Sequence, residues 1–206
     1  YVQLGLLTAA GFFAQMAADI SLVFLVDRIS RKKLALFAAV LSAAGLLFYG
    51  CTPWLFSAEN IYGGILAATA VFAFAGGMLE IVLTGVADSL PQAEGRGGIC
   101  LLHTAYAWAQ VALALALLAF VWGFGAERWN TAVFVLAFVP LSALLLLARA
   151  QFPPRQARAP AKASFKPFYL FAVLAVFFGY GTEVVMNQWI SSFAAEIGGE
   201  AGGMLG

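Results

Sequence analysis

Long apolar stretches alternate along the chain with short polar connections. An α-helix needs about 20 mostly apolar residues to cross a bilayer, whereas a barrel strand needs about 10 and alternates in polarity. Six stretches reach the helical length without such alternation, and they predict an all-α integral membrane protein. They cover about 3–26, 34–54, 62–88, 98–123, 130–148 and 167–194.

Basic residues are concentrated in alternate connections. Because each span reverses the chain, the connections at 27–33, 88–98 and 149–166 lie on one side of the membrane. They hold ten of the eleven lysine and arginine residues, and Arg128 lies on the other side. The positive-inside rule therefore predicts that these three connections are cytoplasmic. We expect a multi-pass protein of the plasma membrane.

The composition excludes a water-soluble globular domain. Hydrophobic residues make up 63% of the chain and charged residues 10%, and the mean hydropathy is +0.93. A typical soluble domain is about half apolar and about a quarter charged, so lipid is the main solvent here. The net charge of +1 gives no basic excess for binding nucleic acid.

Three parts are predicted: a partial N-terminal bundle of five spans at 1–148, a proline-containing basic linker at 149–166, and the first span of a second bundle at 167–206. The sequence begins without Met and ends within a glycine-rich stretch, so we expect a fragment. Cys51 and Cys100 fall near opposite faces of the membrane, which is too far apart for a disulfide.

Four ionisable residues stand out inside the predicted spans, where a charge costs about 2.5–3.5 kcal/mol on insertion scales. They are Asp19, Glu80, His103 and Glu183. Each shares a helical face with other polar residues, because positions three, four or seven apart lie on one side of a helix. These polar faces contain Thr8, Gln15 and Asp19; Gly76, Glu80 and Thr84; His103, Tyr106 and Gln110; and Tyr180, Glu183, Asn187 and Ser191. Several helices are thus predicted to line a water-filled central cavity with their polar faces.

Glu80 and His103 are placed at related depths. Glu80 is about nine residues from the cytoplasmic end of its predicted span, and His103 is about five residues from the same face. If the two helices adjoin, the pair can exchange a proton. A structural ion pair or hydrogen bond that joins two helices is the alternative. Asp19 lies nearer the headgroups, where it can pair with a cation such as Arg28.

The tryptophans fall at two depths. Trp54, Trp122 and Trp129 lie near predicted interfaces and are expected to anchor the helices there. Trp108 and Trp189 lie deeper. A deep indole either stacks on the apolar face of a sugar or packs against lipid and protein.

The first connection, VDRISRKK, resembles the signature between the second and third helices of the major facilitator superfamily. That signature is a glycine, three residues, Asp-Arg, and then a glycine and a basic pair. Asp27, Arg28, Lys32 and Lys33 fit it. Val23, which precedes the quoted string, and Ser30 replace its two glycines. In that family the loop acts as a charge-based latch on the closed gate.

This resemblance implies a twelve-helix transporter with two bundles around a site at the membrane midplane. The six predicted spans would then be helices two to seven of the major facilitator fold. The basic segment at 149–166 would join the two bundles. Members of the superfamily usually work as monomers, which is also the expectation here.

Parts of the chain are similar to the fucose-permease branch of that superfamily. AGGMLEIVLTG at 75–85 and LLHTAYAWAQ at 101–110 resemble its fourth and fifth helices, and GYGTEVVMNQWISSF at 179–193 resembles its seventh. Glu80 takes the place of the intramembrane acid that the branch uses in proton-coupled sugar symport, although Thr-Gly replaces the Asn-Pro that follows it. His103 stands where the branch has a polar helix-five residue.

A secondary transporter, most simply a proton-coupled symporter for a sugar or similar polar solute, is the function that this resemblance implies. The proton-coupling candidates are Glu80, His103 and Glu183. The substrate-binding candidates are Tyr106, Gln110, Asn187, Gln188 and Trp189. The expected partners are a small solute, protons and lipid, with no cofactor, metal or nucleic acid.

Three alternatives remain open. An exporter of hydrophobic compounds in the same superfamily would have a more apolar cavity. A channel would need a continuous polar pore and no proton movement linked to Glu80. An enzyme is not expected, because the sequence has no HExxH, no paired Asp motif and no Ser/His/Asp set at compatible depths.

Overall fold

A computed structural model describes residues 2–26, 28–89, 97–153 and part of the segment 167–196. The described residues in that last segment are 167–175, 177–179, 181–182, 186, 189–190, 193 and 196. The chain divides into two compact units, Tyr1–Gln156 and Ala157–Gly206. This division falls inside the segment 149–166, whose role as a linker stays a prediction.

Five long helices make up the first unit. They are α1 (Val2–Leu25), α2 (Arg31–Leu55), α3 (Ile61–Ala87), α4 (Gly97–Phe124) and α5 (Trp129–Arg149). All five are long and apolar enough to cross a membrane, and no strand occurs among the described residues. A helix suits this solvent because it satisfies its own backbone hydrogen bonds. The prediction of an all-helical fold is confirmed for this part of the chain, and its five long apolar helices are compatible with a membrane protein.

The sixth predicted span, 167–194, is described only in part. Residues 167–175 and 177–179 are helical, and Thr182 Oγ1 donates to the carbonyl of Phe178 at 2.7 Å, as in a helix. The remainder of the predicted span includes residues outside the described ones. The count of six spans and the major facilitator fold therefore stay predictions.

Local sequence sets two of the helix ends. Ser30 precedes α2, and its hydroxyl accepts a hydrogen bond from the backbone N–H of Lys33 at 3.3 Å, which caps the first turn. Gly125 follows α4 with φ of 83°, a left-handed conformation that glycine adopts without steric cost. It turns the chain into a single 3-10 turn, Ala126–Arg128, that leads to α5.

The contacts of the first unit centre on α3 and α2. α1 and α2 both pack against α3, and α5 packs against α2. The core where α1, α2 and α3 meet consists of buried, mostly small or flexible side chains: Ala18, Leu22, Leu34, Ala35, Ala38, Met78 and Val82. α4 touches α3 and α5 only sparsely, and none of its described side chains is buried.

Gly45 brings α2 against the backbone of α3. A Cβ atom at this position would lie 2.8 Å from the backbone nitrogen of Phe72 and 2.9 Å from its Cβ atom. Helices in a bilayer associate through close packing and interhelical hydrogen bonds, since lipid supplies no hydrophobic drive between them. The absence of a side chain at Gly45 therefore determines how closely α2 and α3 approach.

Aromatic side chains join α2 to α5 near the C-terminal end of α2. The ring of Phe134 lies over Gly50, where a Cβ atom would come within 3.0 Å of it. Trp54 stacks on Phe134 with a centroid separation of 5.8 Å, and Tyr49 meets Trp129 edge-on at 5.7 Å. Such pairs contribute about 0.5–1.5 kcal/mol beyond the area that they bury.

Two cations hold the opposite end of α2, which we call the basic end because it carries Arg31, Lys32 and Lys33. Arg31 Nη1 donates to the carbonyl of Gly85 and to Ser89 Oγ, both at 3.0 Å, at the end of α3. Lys32 Nζ donates to the carbonyls of Ala148 and Ala150 at 2.7 and 2.9 Å, at the end of α5. The last carbonyls of a helix lack partners within it and carry partial negative charge, so cations stabilise them.

Gly45→Ala is expected to lower the free energy of unfolding by about 1–3 kcal/mol, because the added methyl group must push two backbones apart. Gly63→Ala is the matched control, since no atom lies within 4 Å of a Cβ atom there and alanine favours the helix by about 0.5–1 kcal/mol. Unfolding in detergent measures both changes. Equal effects would show that Gly45 does not control the packing of α2 on α3.

Lys32→Met is expected to cost about 1 kcal/mol of stability, because the C-terminal end of α5 loses a cationic donor. Lys33→Met removes the same charge from an exposed side chain that makes no hydrogen bond among the described residues. Both variants weaken the positive-inside signal equally, so the difference between them isolates the contact with α5. Indistinguishable unfolding curves would rule that contact out as a stabilising one.

Candidate functional site

A polar pair joins α1 to α3 within the apolar part of the bundle. Gln15 Nε2 donates a hydrogen bond to Glu80 Oε2 at 2.9 Å. Glu80 lies seven residues before the end of α3 at Ala87, which is about 10 Å along the helix. Gln15 lies ten residues before the end of α1 at Leu25, about 15 Å along that helix. Both residues are therefore well inside their apolar helices.

Gly77 makes room for this pair. A Cβ atom at Gly77 would lie 3.0 Å from Cγ of Gln15. It would lie 3.2 Å from the main-chain carbonyl oxygen of Gln15 and from Cβ of Ala18. The neighbouring Gly76 has no atom within 4 Å of the corresponding position. The two adjacent glycines thus differ: Gly77 lies at the contact with α1, and Gly76 faces open space.

The Glu80 side chain is exposed, whereas Gln15 is partly buried. Among the described residues, the hydrogen bond from Gln15 is the polar contact that Glu80 makes. One carboxyl oxygen is thus tied to α1, and the other has no hydrogen-bond partner among the described residues. Ionisable residues at such depth typically mark ion or proton pathways.

The polar face of α4 is also exposed. His103, Tyr106 and Gln110 are all exposed, and together they offer hydrogen-bond donors and acceptors along two turns. No hydrogen bond joins His103 to Glu80 in the described part of the chain, where the carboxyl group contacts Gln15 instead. The proposed proton exchange between Glu80 and His103 stays a prediction.

The other predicted site residues are distributed as follows. Glu183, Asn187 and Gln188 lie outside the described residues, and Trp189 is partly buried. Asp19 is exposed, and within the described ranges no ion pair joins it to Arg28. The substrate-binding and proton-coupling roles predicted for these residues remain predictions.

The gate-loop residues are described in part. Asp27 lies outside the described residues, and Arg28 and Lys33 are exposed. Lys32 contacts the end of α5. Its neighbour Arg31, which the family signature does not single out, contacts the end of α3. The latch role stays a prediction, while the observed contacts lie within the first unit.

Gln15 is the principal site residue that had no predicted role. Its place on a polar face with Thr8 and Asp19 was visible in the spacing, but nothing in the spacing identified Glu80 as its partner. A long amide side chain inside an apolar helix is a usable signal, because lipid offers it no hydrogen bond.

Gly77→Ala is expected to lower the free energy of unfolding by about 1–3 kcal/mol, because α1 and α3 must separate to admit the methyl group. Gly76→Ala is the control at the adjacent position, with open space around it. Unfolding in detergent measures stability, and the distance between spin labels on the exposed positions Phe13 and Ala67 measures the spacing of α1 and α3. Unchanged stability in Gly77→Ala would contradict the close packing.

A comparison with protein-family models, with curated proteins and with solved structures found no match to this chain. The resemblance to the major facilitator superfamily therefore stays a prediction that rests on the residues themselves. A fold can host many activities, so the function has to be inferred from the site.

Proposed function

We propose that this chain belongs to a secondary active transporter of the major facilitator type, which moves a small polar solute, most simply a sugar, with proton coupling and alternating access. Glu80 is the coupling acid. The observation that carries the proposal is the exposed Glu80 carboxyl group inside an apolar helix, held by the amide of Gln15 on the neighbouring helix.

Energetics favour a role in function over a role in packing. A carboxyl group inside a membrane helix costs about 2.5–3.5 kcal/mol on insertion scales. One interhelical hydrogen bond in a membrane contributes about 0.6 kcal/mol on average and about 1.7 at most. The bond to Gln15 therefore does not offset the cost of Glu80. A neutral side chain would join α1 and α3 at lower cost, so proton binding accounts for the acid better.

The exposed face of α4 supports recognition of a hydroxylated solute. Tyr106 and Gln110 are exposed there, and a phenol and an amide each donate and accept hydrogen bonds. Asn187 and Gln188 are further candidates for binding hydroxyl groups, with Trp189 as a stacking surface. His103 and Glu183 are secondary candidates for carrying the proton.

The basic end is assigned to the cytoplasm and the protein to the plasma membrane. Arg31, Lys32 and Lys33 at the start of α2 supply the positive charge that favours this orientation. Protons would then reach Glu80 from either side of the membrane as the helix bundles rock around the central site.

Glu80→Gln is expected to abolish proton-coupled uptake, because an amide of the same shape cannot take up and release the proton. The measurement uses full-length protein in proteoliposomes and records alkalinisation of the medium when hexoses, deoxyhexoses or glycosides are added. Wild type should alkalinise the medium with at least one sugar, and Glu80→Gln should fall to the level of protein-free liposomes.

Glu59→Gln is the matched control, since Glu59 is exposed in the turn between α2 and α3. It should retain wild-type alkalinisation. Undiminished alkalinisation in Glu80→Gln would rule out Glu80 as the coupling acid. If the wild type does not alkalinise the medium with any compound of the panel, the hypothesis of a sugar substrate is rejected. Export assays with hydrophobic compounds would then follow. Solute-independent current would indicate a channel.

A further inference from the structure

We propose that Gln15 is the positioning residue of the proton site: it holds the Glu80 carboxyl group by Oε2, so that the coupling proton binds and leaves at Oε1. The inference rests on the proposed function, because it assigns a role within the same site. It goes beyond that function by naming the group that orients the acid and the oxygen that carries the proton.

The geometry of the bond is compatible with both states of the acid. Gln15 Nε2 is the donor and Glu80 Oε2 the acceptor, at 2.9 Å. In the carboxylate, Oε2 accepts this bond as one of two equivalent oxygens. When a proton binds to Oε1, Oε2 becomes the carbonyl oxygen of the acid and still accepts from the amide. Gln15 therefore holds the carboxyl group throughout the cycle without giving or taking the proton.

The base of the Gln15 side chain is packed against α3. Its Cγ atom and its main-chain carbonyl oxygen both lie against Gly77, one turn before Glu80. Ala18, the next residue of α1 on that side, is fully buried against the same helix. The base of the Gln15 side chain is thus packed in the interface, while the Glu80 side chain that its amide holds is exposed. Because the amide occupies Oε2, Oε1 is the carboxyl oxygen left for the proton.

Other charged and titratable groups occur on the helices that pack against α3. They are Asp19 on α1; Arg31, Lys32, Lys33, Tyr49 and Cys51 on α2; and Cys100, His103 and Tyr106 on α4. Arg31 and Lys32 donate to carbonyls at the basic end, and among the described residues none of the nine forms a hydrogen bond or ion pair with Glu80. The described contact that can orient the carboxyl group is therefore the one from Gln15.

Infrared difference spectroscopy of full-length protein tests this assignment without any solute. The acid-minus-alkaline spectrum contains the carbonyl stretching band of each carboxyl group that becomes protonated, and Glu80→Gln identifies the band of Glu80 by removing it. Gln15→Met keeps the length of the side chain but cannot donate a hydrogen bond. The Glu80 band should move to higher frequency in this variant, because its carbonyl oxygen has lost a donor.

Gly76→Ala is the control for a change near the site that leaves the amide in place, and its band should match wild type. Gln15→Leu replaces Gln15→Met if the latter does not fold. A Glu80 band at the wild-type frequency in the Gln15 variant would overturn the proposal. So would a wild-type spectrum that is insensitive to Glu80→Gln, because Glu80 would then not bind a proton.

Transport separates failure of this inference from failure of the proposed function. With the same sugar panel, Gln15→Met should slow alkalinisation by roughly three- to twentyfold, as expected for the loss of one interhelical hydrogen bond. Suppose that the Glu80 band shifts in Gln15→Met, but no sugar causes alkalinisation in the wild type or in any variant. The positioning role of Gln15 would then stand, and the sugar-symporter hypothesis would be rejected.

Discussion

Close approach of backbones at α3 is the constraint on which the rest of this structure depends. Lipid is as apolar as the helix surfaces, so burial of side chains supplies little drive for helices to associate. At Gly45 and Gly77 the missing side chains let α2 and α1 reach the backbone and side chains of neighbouring helices. The buried residues at this junction, such as Ala18, Ala35 and Ala38, are correspondingly small.

The polar site depends on the same close packing. Gln15 can reach Glu80 because Gly77 leaves space for its side chain between α1 and α3. An acid at this position is unfavourable for insertion, and the hydrogen bond from Gln15 only partly compensates. The Glu80 carboxyl group, whose insertion is unfavourable, thus lies at the contact between α1 and α3. A small change in the spacing of these helices alters its environment.

Helix positions were largely predictable from the sequence, because bilayer thickness sets the length of an apolar run. Hydropathy predicts that α2 starts at 34, three residues after its actual start at Arg31. The basic residues Arg31–Lys33 are too polar to be counted in an apolar run, but they form the first helical turn because Ser30 caps it. Partners of the polar residues were not predictable in the same way. Spacing places Gln15 on a polar face, but its contact with Glu80 depends on which helices adjoin. Likewise, Gly76 and Gly77 look equivalent until the position of α1 is known.

The cations of the basic end have a consequence for how the protein is made. Arg31 bonds to a carbonyl 54 residues later in the chain, and Lys32 to one 116 residues later. Synthesis proceeds from the N-terminus, so α2 enters the membrane before either acceptor exists. Arg31 and Lys32 must first be solvated by water and lipid phosphates, and they exchange these partners for carbonyls as α3 and then α5 emerge. The order of residues along the chain therefore sets the order in which the bundle closes during biosynthesis.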